Sequence, residues 1–441
     1  MTTPASCRVF YRSPNRAYPI AERAEGVYLW DTNGKRYLDA CAGALVANIG
    51  HGRRDIAEVA ARQIERLDFV HGSQFSSAPL EALAERIGRW LPSGSWRFFA
   101  ASGGSEATES AIKLARQYHV ERGNAGKRIV VSRWSGYHGA SLGALGVSGL
   151  GARRRLYEPL LRDDAYLKIP RPDPSVDGRQ DAAALEALLQ RIGSEHVAAF
   201  FAEPIVGAAA PALAPAAGYY EEIRRICSAH DVLYVSDEVM SGLGRTGTKL
   251  GLDRWHAVPD VVVLGKGLGA GYVPLAGIAA SDAVVETIAQ GSGTFTHGYT
   301  YAGHPVSAAV GSAVLDVMER EDLVRRSADT GAYLLGELRA LADETPEVLE
   351  VRGYGLLLGV VLGDPRSGVP FATPGYAYHV GRIALELGLN VYPGTGSGEE
   401  STGDHLLIGP PLTITREESG EMVAMLRDAL VTARAEADRY R

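Results

Sequence analysis

Lys266 lies in the glycine-rich run Leu264-Gly265-Lys266-Gly267-Leu268-Gly269, and Asp237 stands upstream of it in Val235-Ser236-Asp237-Glu238-Val239. A lysine amine in a tight turn can condense with an aldehyde to form an imine. A carboxylate at the end of an apolar strand can keep a heteroaromatic nitrogen protonated. Together they are the pair that pyridoxal phosphate chemistry requires, the amine carrying the cofactor and the acid letting its ring accept electrons. Such a site also needs a cradle for a phosphate and a flat surface for a ring.

Phe98-Phe99-Ala100-Ala101-Ser102-Gly103-Gly104-Ser105-Glu106-Ala107 is a strand-like run, two glycines and a serine leading into a helix. Backbone N–H groups at that helix start, with the Ser105 hydroxyl, suit a phosphate; a tight turn with Ser105 as a simple N-cap fits the same residues. In Trp134-Ser135-Gly136-Tyr137-His138-Gly139, Tyr137 offers a ring-stacking face just after a strand, flanked by His138. Glu203, in Phe201-Ala202-Glu203-Pro204, ends another apolar strand. That is where α/β sheets present ligand contacts, although an acid facing solvent is the plainer reading. Asp237 is preferred to Glu238 because side chains alternate and Val235 and Val239 share its face. Val239 can then pack on the ring opposite Tyr137, whereas a solvated acid pair is the competing account. Thr300, in Gly298-Tyr299-Thr300-Tyr301, can donate to a phosphate or hold a local turn. Gly242-Leu243-Gly244-Arg245-Thr246-Gly247 matches GxGxxG, but Thr248-Lys249-Leu250-Gly251 has no helical periodicity and Pro259 soon follows. A dinucleotide fingerprint needs a helix there, so it is rejected.

The elements that must position these residues alternate. Helical periodicity marks Ile56–Leu67, Leu80–Leu91 and about 106–122, with further helices near 180–191 and 218–230. Apolar runs at 128–132, 197–202, 232–236 and 261–264 suit parallel strands buried on both faces. The fold expected is α/β with a mostly parallel central sheet, assigned to a large domain over residues 55–305. Beyond it come long helices over 304–320 and 322–343, short strands around 347–362 and 389–392, and a last helix near Thr415. Thr415 and Glu418 form a capping box there. Residues 1–54, with a hairpin pattern over 28–38, join 306–441 in a smaller α+β domain.

With 441 residues the chain can bury a large core. Hydrophobic residues at 46%, charged residues at 22% and a formal charge of −7 describe an ordinary globular enzyme with no basic block, which excludes nucleic acid as a partner. Cys7, Cys41 and Cys227 are odd in number and widely spaced, so a reduced, cytoplasmic protein without disulfides or a metal site is expected. The first residues lack the apolar core of a signal peptide, and prolines at 204, 211 and 215 break the longest charge-poor stretch, so no membrane span is expected.

In order and rough spacing, Ser102–Ala107, Tyr137-His138-Gly139, Glu203-Pro204, Asp237-Glu238-Val239, Lys266-Gly267-Leu268-Gly269 and Gly298-Tyr299-Thr300-Tyr301 resemble the class III (ω-)aminotransferases. Tyr37-Leu38-Asp39, Gly50-His51-Gly52 and Pro410-Pro411-Leu412 match as well, so the resemblance covers roughly 18–430. It implies pyridoxal-phosphate fold type I and a homodimer with active sites at the interface. It makes Lys266 the Schiff-base lysine and Asp237 the partner of the pyridine nitrogen. Tyr137 and Val239 would sandwich the ring, with His138 and Glu203 beside it. Gly104 and Ser105 would hold the phosphate, and Thr300 would reach the phosphate in the neighbouring subunit. Tyr18, Leu45 and Tyr137 would face the substrate, an amine donor in one half-reaction and a keto acid in the other, by way of pyridoxamine phosphate.

Two departures bear on substrate. Many members carry an arginine just ahead of the Pro-Pro pair, where this chain reads His405-Leu406-Leu407-Ile408-Gly409, and many carry a tryptophan where it has Leu45. Both favour an amine larger than a simple α-amino acid; a polyamine, an amino sugar or a biosynthetic intermediate are all compatible. An epimerase or aminomutase of the same fold remains an alternative. A nucleotide-binding protein is a remote one, because no Walker Lys-Ser/Thr is present.

Overall fold

The computed structural model describes residues 8–371, 373–395 and 403–440. Seven strands build the central sheet: β1 (Trp96–Ala101), β2 (Ile129–Arg133), β3 (Tyr166–Ile169), β4 (Val197–Ala202), β5 (Leu233–Asp237), β6 (Val261–Leu264) and β7 (Ala276–Ser281). Their order is β1-β7-β6-β5-β4-β2-β3. From β3 to β6 every pairing is parallel, while β7 runs antiparallel to both β6 and β1. Six strands therefore point one way, and their C-terminal ends gather along one edge.

Alternation divides the sheet between two apolar layers. Val130, Ala199, Phe201, Leu233 and Val235 meet Ala107, Ala111, Leu114 and Ala115 of the helix Gly104–Glu121. Val131, Phe200, Ala202 and Tyr234 face the opposite layer, with Leu185 and Leu189 of Gly178–Ile192 and Ile223 and Ile226 of Tyr219–Ala229. Burial on both faces explains why β4 and β6 read as unbroken apolar runs. Truncating Phe200 or Phe201, both fully buried, would cost about 3–5 kcal/mol.

Segments from the two ends of the chain pair with each other. Leu389–Asn390 joins Arg36–Asp39 in parallel, extending the sheet of Ala21–Glu25, Tyr28–Asp31 and Arg36–Asp39. Val348–Tyr354, Leu357–Leu362, Asp404–Ile408 and Tyr392–Thr395 form a second antiparallel sheet. The last helix, Arg416–Arg434, starts on the expected capping box: Glu418 N donates to Thr415 Oγ1 at 3.1 Å and Thr415 N to Glu418 Oε2 at 2.8 Å. No helix among the described residues is long and apolar enough to cross a membrane.

The GxGxxG stretch is a loop followed only by a short 3-10 turn at Gly251–Arg254. Arg245 within it is fully buried and ties distant segments, donating to the carbonyls of Leu356 and Pro410 and to Asn48 Oδ1. Cys41 and Cys227 are buried free thiols; Cys7 lies outside the described residues.

Candidate active site

The C-terminal edge of the sheet delivers the expected residues to one place. Gly104 and Ser105 follow β1, Tyr137 and His138 follow β2, Glu203 follows β4, Asp237 ends β5, and Lys266 follows β6. With Val239, Gly139 and Met240 they line a cavity of about 170 Å³. This is where a parallel sheet leaves room for a ligand between diverging loops.

Asp237 is almost wholly buried and held from two sides. Its Oδ2 lies 2.7 Å from His138 Nδ1, and its Oδ1 accepts from Val239 N at 3.1 Å. His138 is itself fixed, its N–H donating to Ser148 Oγ at 2.8 Å and its carbonyl accepting from Thr108 Oγ1 at 2.7 Å. The histidine expected to flank a ring is thus the buttress of the acid. Glu203 is equally committed: Oε1 accepts from Tyr137 N at 2.8 Å and Oε2 from Gly207 N at 3.0 Å. Burial raises the Glu203 carboxyl above its ordinary range, opposed by His138 and by these N–H groups. Glu238 points away, accepting from Ser241 Oγ and from the N–H groups of Gly251 and Leu252. Burial there pushes its carboxyl up to about 7.

Lys266 adopts φ 44° between glycines, a left-handed conformation uncommon for a side-chain-bearing residue. A Cβ on Gly267 would lie 2.3 Å from Asn48 Nδ2, so a larger residue there would displace Asn48 from its hydrogen bonds with Leu243 O and Arg245 Nη2. The Lys266 amine makes no hydrogen bond or ion pair among the described residues. Burial lowers it from 10.5 to about 8, with Glu203 and Asp237 pulling it back up and Arg245 and Arg153 pushing it down.

The helix Gly104–Glu121 begins beside this amine with no side chain capping it, Gly103 occupying the N-cap position. Ser105 is therefore not the cap; it stands in the first turn, and its Oγ accepts from Ala140 N at 3.0 Å. A Cβ on Gly139, at φ 141°, would lie 2.7 Å from that oxygen, so close approach of the Tyr137 loop requires glycine. Uncapped N–H groups, an unpartnered amine, a buttressed acid and an aromatic wall fit an anionic, carbonyl-bearing heteroaromatic group.

The family profile for aminotransferase class-III matches residues 11–430. This chain is a class III aminotransferase. The family uses pyridoxal phosphate, and the donor set of the cavity suits it. The uncharacterized aminotransferase YodT of Bacillus subtilis is 42% identical over 425 residues, covering 94% of this chain and 95% of that one. The putrescine–pyruvate aminotransferase of Pseudomonas aeruginosa is 33% identical, covering 93% and 90%. An amine transaminase from an uncultivated Pseudomonas species, solved in its PLP-bound form, superposes with a TM-score of 0.88 at 32% identity, covering 97% of this chain and 98% of that one.

Two expected residues of this class III aminotransferase, Tyr18 and Leu45, do not line the cavity, and Thr300, expected at the phosphate of a neighbouring subunit, stands outside it on its own chain. Thr300 is exposed on a turn. Tyr18 stacks on Tyr11 with centroids 4.6 Å apart, carried by a segment that Thr32 N pins at the Ile20 carbonyl. Leu45 is buried in the apolar cluster with Met240 and Leu407, against whose edge Tyr137 packs. It fills the space over Gly409, where a Cβ would lie 2.5 Å from Leu45 Cγ. Sequence reasoning also passed over residues that matter. Met240 follows Val239 into the cavity lining, and Arg153 places its Cζ 4.6 Å from the centroid of the Tyr137 ring. Arg153 sits in a run of three arginines, which reads as a solvated charge cluster; its spacing after Tyr137-His138-Gly139 was the available signal.

Proposed function

We propose that this aminotransferase moves an amino group from a primary or ω-amine to a keto acid, in two half-reactions at the Lys266 cavity, and works as a homodimer. The observation that carries the reading is the Lys266 amine, unpartnered and lowered to about 8, facing the same cavity as the Asp237–His138 pair. Bound pyridoxal phosphate would supply an electron-withdrawing ring that stabilises negative charge at the substrate carbon.

The residues divide the work. Asp237, fixed by His138 and Val239 N, presents a carboxylate for the pyridine nitrogen. Tyr137 and Val239, both in the cavity lining, would flank the ring, and the first turn at Gly104 and Ser105 would take the phosphate. Thr300, exposed on its own chain, serves the phosphate of a second copy. Glu203 keeps the Tyr137 loop in place through Tyr137 N. Lys266 would carry the cofactor at rest. Once displaced by a substrate amine, its Nζ would take the proton from the substrate carbon and deliver it to the cofactor carbon that bears the shared nitrogen, since a pKa near the working pH suits both accepting and releasing it.

The buried stretch Leu406–Ile408 carries no cation, so no fixed charge there is set aside for a donor carboxylate, which supports a donor without one. The P. aeruginosa relative, named for putrescine and pyruvate, is in keeping with such a pair. Borohydride reduction of the cofactor-loaded protein, followed by peptide mapping, tests the core of the proposal. The pyridoxyl group is expected on Lys266, and finding it on another lysine refutes the assignment.

A further inference from the structure

A transaminase that takes amines without carboxylates must still accept a keto acid in the same cavity. The acceptor brings a negative charge towards Glu203 and Asp237, and that charge requires a paired cation. The guanidinium groups of Arg245 and Arg153 both lie near enough for their charge to act on the Lys266 amine. Arg245 is excluded: it is fully buried, with Nη1 on the Leu356 and Pro410 carbonyls and Nη2 on Asn48 Oδ1.

Arg153 differs in each respect. It is only partly buried, and its guanidinium has no ion pair or hydrogen bond among the described residues. What it touches is the face of Tyr137, which lines the cavity. The next residue shows why it is held there. Arg154 commits Nη1 to the carbonyls of Leu145, Gly146 and Ser148 and Nη2 to Asp163, pinning the short helix Gly151–Arg154 to the C-terminal end of the helix Leu142–Val147 that follows the Tyr137 loop. One arginine of the run anchors the backbone; its neighbour is left with a free planar fork, the geometry that pairs with a carboxylate through two parallel hydrogen bonds.

We infer that Arg153 is the carboxylate receptor of the keto-acid half-reaction, its guanidinium moving off the Tyr137 ring to pair with the acceptor at that wall of the cavity. The inference rests on the transaminase reading above. It also explains how one cavity serves both partners: over Tyr137 the cation is stored on an aromatic face during the amine half-reaction, and the long side chain delivers it when a carboxylate arrives.

Single-turnover absorbance measurements on the cofactor-loaded enzyme test it, with pyruvate and the carboxylate-free propanal as alternative acceptors. In Arg153→Gln the rate constant for pyruvate should fall by roughly tenfold or more relative to that for propanal, as loss of a charge-assisted pair implies. Arg153→Lys should recover part of the difference. Calorimetric titration with propanoate, which binds without reacting, should show its dissociation constant rising by a similar factor in Arg153→Gln. An unchanged pyruvate-to-propanal ratio with unchanged propanoate affinity overturns the inference. Should Arg153→Gln fail to hold its cofactor, the wild-type protein decides: propanoate must bind roughly tenfold or more tighter than propanamide, and equal binding overturns Arg153's role. A wild-type protein that turns over no amine refutes the transaminase reading itself, whereas normal turnover with an unaltered ratio removes only Arg153.

Discussion

Replacing Lys266 by methionine should make the cofactor-free protein more stable near neutral pH while abolishing turnover. Burial lowers the Lys266 amine from 10.5 to about 8, a displacement that corresponds to roughly 3 kcal/mol. Below about 8 both folded and unfolded chains hold the proton, and the folded chain bears the full cost of a confined ammonium. Between about 8 and 10.5 the unfolded chain binds more protons than the folded one, so stability rises with pH across that window. Above it the amine is neutral in both states and the cost vanishes. Methionine has similar length and no charge, and the φ of 44° is common to both proteins, so backbone strain cancels. Urea unfolding of the two apo-proteins at matched protomer concentration measures the difference. Lys266→Met should be more stable by up to about 3 kcal/mol near pH 7, with the gap closing towards about pH 10. Equal stability near pH 7, or a gap that ignores pH, would refute the claim that confinement sets the lysine's affinity for its proton.

Three other outcomes are expected. His138→Phe removes a hydrogen bond to the buried Asp237 carboxylate, worth about 1.5–3 kcal/mol, so kcat/KM should fall roughly 10- to 100-fold, with a smaller loss in His138→Asn. For a matched pair, an α-amino acid and its decarboxylated amine, kcat/KM should favour the amine; a preference of about tenfold for the amino acid, some 1.4 kcal/mol, would invalidate the argument from the cation-free Leu406–Gly409 stretch. Amine donor alone should convert the cofactor stoichiometrically to pyridoxamine phosphate, recovered on denaturation, whereas an epimerase would leave it as the aldehyde.

The parts of the site readable from sequence were those whose chemistry and local setting coincide. Lys266 in its glycine turn and Asp237 at the end of an apolar strand each announce themselves, and the buried runs of β4 and β6 place them on a parallel sheet. The antiparallel strand β7 went unseen because Ala276-Gly277-Ile278-Ala279-Ala280-Ser281 has little β-branched or aromatic content; close packing makes it a strand, with Phe99 O only 2.5 Å from a Cβ built on Gly277. The edge strand β3 and the helix Tyr376–Leu387 were missed as well. What His138 does depends on a contact with Asp237 across two strands, which no local pattern encodes. Arg153 and Arg154 look identical in sequence; only the carbonyl cluster beneath Arg154 separates an anchor from a free cation.

The packing of Leu45 on Gly409 couples two positions that lie far apart in the chain. A side chain at 409 would run into Leu45 Cγ at 2.5 Å, and Leu45 itself sits at φ 59° with almost no exposed surface. The two positions therefore carry a single lock with two halves, and substitutions at either are strongly epistatic. Enlarging residue 409 alone collides with the leucine, and shrinking residue 45 alone opens a void. A library that varies one position at a time would score both as intolerant, whereas paired changes at 45 and 409 can be accommodated without disturbing the sheet that holds Lys266 and Asp237.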